Sequence, residues 1–279
     1  MKIGVSSYSF SQLTRDGKMT QFDCVSKAKE MGFDSIEFTN LMPPEGETDI
    51  SYAERICEEA KRCGIEVSAY VVGANLAKKD PTEEIEKLKS CIDVAKALGA
   101  KFFRHDVMYG YDDFRSFDLA LPTIAAAIRE VTEYAEKLGI KTMSENHGYI
   151  AQDSDRMERL FNAVNHPNYG ALIDIGNFAC ADEDSAMAVS RLSNFAFMVH
   201  AKDFKKFSYT PEAPEGCFQT RGANYLKGMP VGKGDIPVAQ CFAILKRAGF
   251  DGYVDIEYEG AEDCIEGIAQ GLQYLKSIL

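Results

Sequence analysis

One unit recurs along this chain: an amphipathic helix closes on an apolar residue and a glycine, and a short β-rich run follows almost at once. It reads KAKEMGFDSIEF (27–38), EAKRCGIEVSAYV (59–71), VAKALGAKFFRHDV (94–107), YAEKLGIKTMSEN (134–146) and LKRAGFDGYVDIEYEG (245–260). Glycine at each helix end supplies a left-handed cap, and Lys or Arg in the last turn suits the carbonyl end of the helix dipole. With YGALIDIG (169–176), FAFMVHAKD (195–203) and the opening run, eight strands are predicted near 2–8, 34–39, 65–72, 101–107, 140–146, 170–175, 195–201 and 252–258. Strict strand–helix alternation demands a parallel sheet, and eight such units close most readily as a TIM (β/α)8 barrel of the α/β class. A doubly wound open sheet would carry a Gly-rich turn after its first strand, where this chain has SSYSFSQL.

No linker or second core interrupts the pattern, so residues 1–279 are expected to form a single barrel domain. The one long irregular stretch, 204–235, follows strand seven and is expected to lie over the C-terminal face as a lid or substrate loop. Forty-three acidic against 31 basic residues leave a net charge of −12, which disfavours nucleic acid and anionic membranes as partners. The N-terminus MKIGVSSYSF lacks a signal-peptide core, which makes cytoplasmic the expected location. The eight cysteines form no C-x-x-C pair and read as reduced thiols.

Chemistry in such a barrel stands at the C-terminal strand ends. Strand five ends in Ser144-Glu145-Asn146-His147, strand six in Asp174-Ile175-Gly176-Asn177, strand seven in His200-Ala201-Lys202-Asp203, and strand eight in Glu257-Tyr258-Glu259. Two Glu, one Asp and one His from four neighbouring strands make a donor set for one divalent ion, Mn²⁺ first, with Mg²⁺, Co²⁺ or Zn²⁺ as alternatives. Each carboxylate alone could cap a helix or join a salt bridge. Four adjacent strands ending this way would bury mutual repulsion unless a cation relieved it.

The words ENH (145–147), LIDIGN (172–177), HAKD (200–203) and VGKGDIP (231–237) leading to DIEYEG (255–260) resemble those of the xylose-isomerase-like TIM barrel superfamily. That group includes sugar-phosphate isomerases and epimerases, inosose dehydratases and the type-two apurinic endonucleases. The resemblance implies Glu145, Asp174, His200 and Glu257 as metal ligands, with Glu145 and Glu257 also as the acid/base pair. It implies a divalent-metal-dependent isomerase or epimerase of a sugar, sugar phosphate or related keto-polyol, working through a metal-stabilised enediolate. The alternative is a lyase on the same site, an inosose-type dehydratase or 3-keto-sugar β-eliminase, with His147 or Lys202 as the catalytic base. A small carbohydrate is the implied partner, and a homodimer is common in the group.

Three positions depart from the ketose 3-epimerase pattern, Asn177, Lys206 and Ala151, and point away from a standard free-ketose enzyme. Four histidines in all, His105, His147, His166 and His200, are too few for the endonuclease metal cluster. A non-catalytic sugar-binding barrel would have no need of four ligands. Substrate contacts are expected from His105, on the argument that alternation turns one of Arg104 and His105 inward, and from Glu37, Tyr8 and Asn177. Lys233, inside Gly232-Lys233-Gly234, is a weak candidate for an anion.

Overall fold

The computed structural model describes residues 1–111 and 113–279. All five glycines of the recurring unit, Gly32, Gly64, Gly99, Gly139 and Gly249, adopt left-handed φ between 64° and 89°. Each lets the chain turn sharply off a helix and into the next strand. The strands of the ring are Lys2–Ser6 (β1), Ser35–Thr39 (β2), Glu66–Val72 (β3), Phe102–His105 (β4), Lys141–Glu145 (β5), Tyr169–Asp174 (β6) and Ala196–Ala201 (β7). Asp203–Phe207 (β8), Phe218–Gln219 (β9) and Tyr225–Met229 (β10) stand apart from it, and Tyr253–Ile256 (β11) completes it. Hydrogen bonding runs β1-β11-β7-β6-β5-β4-β3-β2 and closes, parallel throughout. The expected TIM barrel is the observed fold, and among the described residues no helix is long and apolar enough to cross a membrane.

Helices Ser11–Arg15 (α1), Gln21–Met31 (α2), Asp49–Cys63 (α3), Thr82–Leu98 (α4), Phe117–Lys137 (α5), Ser154–Val164 (α6), Ser185–Leu192 (α7), Val238–Arg247 (α8) and Cys264–Ile278 (α9) surround the ring. The large apolar core lies between helices and strands, where Phe38, Phe103, Ile128, Leu160 and Phe242 are buried. The barrel interior holds a smaller cluster, Ala69, Val71, Met143, Leu172 and Met198. Above it the inward positions turn polar, with Glu37, Arg104, Glu145, Asp174, His200 and Asp255 all buried.

This division corrects the expectation for His105. Register aligns Arg104 with Val71 and Met143, both interior, so Arg104 points inward and His105 outward. Phe103 shares the outward face with His105 because the helix-packed layer holds most of the aromatic bulk. His105 is fully buried near Phe103 and Tyr169, with Nδ1 on the Asp106 carbonyl at 2.8 Å. It is out of reach of a ligand in the mouth.

The 204–235 segment is a second correction, because it is not irregular. β8, β10 and β9 form a small antiparallel sheet at the C-terminal face. The Asp203 carboxylate accepts backbone N–H bonds from Gly232 and Gly234 at 2.9 Å and Ile236 at 3.1 Å. The Gly-Lys-Gly turn therefore wraps a carboxylate of its own chain, and Lys233 is exposed.

Burial, reinforced by the Arg104 cation, pushes His105 down to about 4. The unfolded chain takes up this proton near pH 6.5 and the folded chain refuses it until about pH 4, so stability falls as pH drops through that window. Complete refusal costs up to about 3 kcal/mol. His105→Leu should flatten this part of the pH dependence of unfolding, measured by urea denaturation at pH 7, 5.5 and 4.5. Equal pH slopes in both proteins would contradict the assignment.

Candidate active site

Neighbouring strands present their chemistry in pairs two residues apart, which extended backbone points the same way. Arg104, Glu145 and His200 come from β4, β5 and β7, Asp106, His147 and Lys202 from the residues just past those strands, and Glu257 and Glu259 from those just past β11. Asp174 closes β6 between them. Donor atoms of Glu145, Asp174, His200 and Glu257 all lie within 4.8 Å of one another. His200 Nδ1 stands 4.0 Å from Glu145, 3.9 Å from Asp174 and 3.5 Å from Glu257.

The imidazole is fixed from behind. His200 Nε2 meets the fully buried Glu37 carboxylate at 2.8 Å, so the protonated nitrogen faces Glu37 and Nδ1 faces the cluster. Among the described residues, His200 Nδ1 and Asp174 Oδ2 are buried without a formed hydrogen bond. An ion with bonds of about 2.1 Å holds its donors roughly 3–4 Å apart, close to the spacing seen, so these residues fit a hard or borderline divalent cation. Glu37, expected to touch substrate, instead orients a metal-capable histidine; it lies below the mouth.

Two cations of the chain itself temper the negative charge. The Arg104 guanidinium bridges Asp106 at 2.6 Å and Glu145 at 2.7 Å. The Lys202 ammonium meets Glu257 at 2.6 Å, Asp174 at 3.1 Å and Glu259 at 3.4 Å. Burial pushes Lys202 down, but these carboxylates outweigh it and hold the lysine well above its ordinary value. Burial would raise Glu257, yet Lys202 and His200 keep it well below the usual carboxylate range. Asp174, fully enclosed and beside Glu145 and Glu257 as well as Lys202, rises to about 6. One layer lower, Asp255 is driven to about 7 by burial and by the Glu37 carboxylate.

A cavity of about 300 Å³ opens on this cluster, and Tyr8, Arg104, Asp106, Glu145, His147 and Lys202 are among its walls. Asn177, expected to bind substrate, donates to Glu145 at 2.8 Å and accepts from Lys202 at 3.1 Å, tying the two together. His147 Nδ1 pairs with Asp106 Oδ1 at 2.8 Å, and the Tyr109 hydroxyl donates to the other Asp106 oxygen. Burial lowers the His147 imidazole, but its bond to Asp106 prevails and raises it.

Arg104 was weighed in the sequence and passed over for His105, Glu259 was seen at a strand end without a role, and Asp106 and Tyr109 were assigned none. The two-residue spacing of Arg104 and Asp106, matching Glu145/His147 and His200/Lys202, was the available signal. Tyr109 had none, since only the loop after β4 brings it to Asp106.

The model of the xylose isomerase-like TIM barrel family matches residues 25–278. The chain belongs to that family. Among its xylose isomerase-like relatives, an L-ribulose-5-phosphate 3-epimerase of Salmonella paratyphi C is 23% identical, over 90% of this chain and 87% of that one. An inosose dehydratase of Mesomycoplasma hyopneumoniae is 20% identical, over 100% of this chain and 96% of that one. A xylose isomerase-like TIM barrel protein from Mycobacterium smegmatis, solved in complex with magnesium, superposes with a TM-score of 0.72 at 17% identity, covering 99% and 96% of the two chains.

Because Glu37 fixes the face that His200 presents, Glu37→Gln should weaken Mn²⁺ binding by about 10- to 100-fold while the fold persists. Equilibrium dialysis with the circular dichroism spectrum as control measures this. Unchanged affinity would remove Glu37 from any part in holding the imidazole.

Proposed function

We propose that this protein is a divalent-metal-dependent epimerase or isomerase of a sugar or related keto-polyol. The observation that carries this reading is the convergence of four donor atoms within 4.8 Å at the floor of a cavity walled also by His147 and Lys202. Glu145, Asp174, His200 and Glu257 would hold the divalent ion, which when bound would supply Lewis acidity toward a substrate carbonyl and so acidify the neighbouring C–H. Magnesium in the Mycobacterium smegmatis protein supports a hard cation here.

Proton transfer then falls to the chain. Glu145 has one carboxylate oxygen on Arg104 and the other on Asn177, an arrangement that suits a ligand better than a base. Glu257 and His147 are the better carriers, the first an ionised carboxylate and the second an imidazole steadied by Asp106. β11 and β5 stand three places apart around the eight-strand ring, so these groups approach a bound sugar from different sides. One removes the proton beside the carbonyl, the electron pair moves onto the carbonyl oxygen, and the other returns a proton to the opposite face. Lys202 and Arg104 offset the negative charge that develops.

A dehydratase is the second reading, and Lys202 favours it. This ammonium borders the cavity 2.6 Å from Glu257 and could deliver a proton to a departing β-hydroxyl. The inosose dehydratase relative is consistent with that outcome.

Metal-loaded protein incubated in deuterated water with ketoses, inososes and 3-keto sugars separates the readings by mass spectrometry. Deuterium gained without loss of mass marks epimerisation or isomerisation, and loss of water marks dehydration. Chelation should abolish either. Glu257→Gln and His147→Asn should each slow exchange by about 10²- to 10⁴-fold. Exchange at the wild-type rate in both variants would refute their part in proton transfer.

A further inference from the structure

A second cavity, of about 350 Å³, adjoins the first. The two share Tyr109, His147, Lys202 and Glu259, so anything bound over the metal-capable cluster can extend from one into the other. The second runs out to Tyr149, on the loop after β5, and to Phe218 on β9.

Apart from His147 Nε2 and the Glu259 carboxylate, both at the end shared with the first cavity, the polar side chains along it have their hydrogen bonds made within the protein. Gln152 accepts from the Tyr149 backbone N–H and donates to the Asn177 carbonyl, and both ends of the Asn177 amide are engaged by Glu145 and Lys202. The Tyr149 hydroxyl donates to the Gln219 carbonyl at 3.0 Å, and that of Tyr109 to Asp106. Cys180, pushed up to about 12 by burial, presents a neutral thiol. A second sugar ring, which needs partners for its hydroxyls, would find few here. A flat apolar group would find two aromatic faces.

Those faces are set in advance. Tyr149 has φ +64°, a left-handed conformation uncommon for an aromatic residue, and is held there by Gln152 and by its tie to β9. Phe218 is braced by Phe204, with ring centres 5.5 Å apart and planes at 77°. A half-exposed tyrosine held in a costly backbone state beside a cavity has its orientation chosen by something other than its own stability.

Charge narrows the ligand further. Arg104 and Lys202 are the only Lys or Arg among the described residues lining the two cavities, and each is locked between carboxylates. A phosphate would meet Glu257, Glu259 and Asp106 with no lysine or arginine free to receive it, and with the His147 imidazole already paired to Asp106.

We infer that the substrate is an uncharged keto-sugar glycoside bearing an aryl group, with the sugar over the Glu145–Asp174–His200–Glu257 cluster and the aryl group in the cavity walled by Tyr149 and Phe218. This rests on the proposed function, in which that cluster holds a metal and works on a sugar.

Isothermal titration of the full Mn²⁺-loaded chain tests it, with phenyl and methyl β-D-glucopyranosides, their galacto counterparts, and glucose 6-phosphate as probes. At least one phenyl glycoside should bind about tenfold or more tighter than its methyl counterpart, with the phosphate weakest. Phe218→Ala should bring the phenyl glycoside's affinity down to that of the methyl one. Phe218→Leu, which keeps an apolar contact with Phe204, should shrink the same ratio if the alanine variant does not fold. Equal binding of phenyl and methyl glycosides, tightest binding of the phosphate, or no binding of any probe would overturn the inference. Retention of less than about a tenth of a Mn²⁺ per chain after loading would instead sink the metal-site reading, and this inference with it. Full Mn²⁺ retention without a phenyl preference removes the aryl subsite alone.

Discussion

Mutual repulsion among buried carboxylates governs the mouth of this barrel. Glu37, Asp106, Glu145, Asp174 and Asp255 are all buried, and Glu257 stands beside them. Withdrawn from water, such groups stay ionised only where cations and hydrogen-bond donors replace the lost hydration. Each local arrangement answers that requirement. Arg104 bridges two of the carboxylates, Lys202 draws three together, and His200 faces Glu37 on one side and the ligand cluster on the other. Asp255, which forms no ion pair among the described residues, is pushed up to about 7 by burial and the Glu37 carboxylate, and accepts a hydrogen bond from the Ser68 hydroxyl. The same electrostatics that would make the cluster unstable when isolated suits its donor set to a divalent ion.

The barrel tolerates this charge because its two cores divide the work. Most apolar burial occurs between strands and helices, where packing is continuous around the ring. The interior needs only a short apolar plug, Ala69, Val71, Met143, Leu172 and Met198, so its upper positions are free for polar groups. Closure of the sheet then holds those groups at fixed angles without loop support. Loops contribute at the rim. The β8–β10 sheet, anchored through Asp203 and Asp182, carries Phe218 to the mouth, and the loop after β5 carries His147 and Tyr149.

Much of this was legible in the chain because local rules and the fold agree. The helix–Gly–strand unit marked all its strands, and the five left-handed glycines stand where the repeat placed them. The four metal-capable residues were visible because each ends or nearly ends a strand, and a closed parallel ring must bring four consecutive strand ends together. Side-chain direction was harder to read. Strand alternation says that Arg104 and His105 face opposite ways but not which way is in, and His105 was assigned the wrong face. Glu37 was legible as a strand-end carboxylate, but whether it met substrate or His200 depended on how deep it sits. The proline-bearing stretch at 204–235 hid a small sheet whose pairing is set against its own return strand.

Sequence by itself determined the alternation of strands and helices, the number of units, and the chemical types at the strand ends. These follow from short-range properties, namely helix caps, apolar periodicity and residue order, which act within one unit of chain. Tertiary structure alone decided which carboxylate met which cation, that His200 would be backed by Glu37 and His147 by Asp106, and that Tyr149 and Phe218 would wall a common space. Those outcomes join residues up to 163 positions apart. They depend on the register and closure of the whole ring, and no segment of the chain carries that information alone.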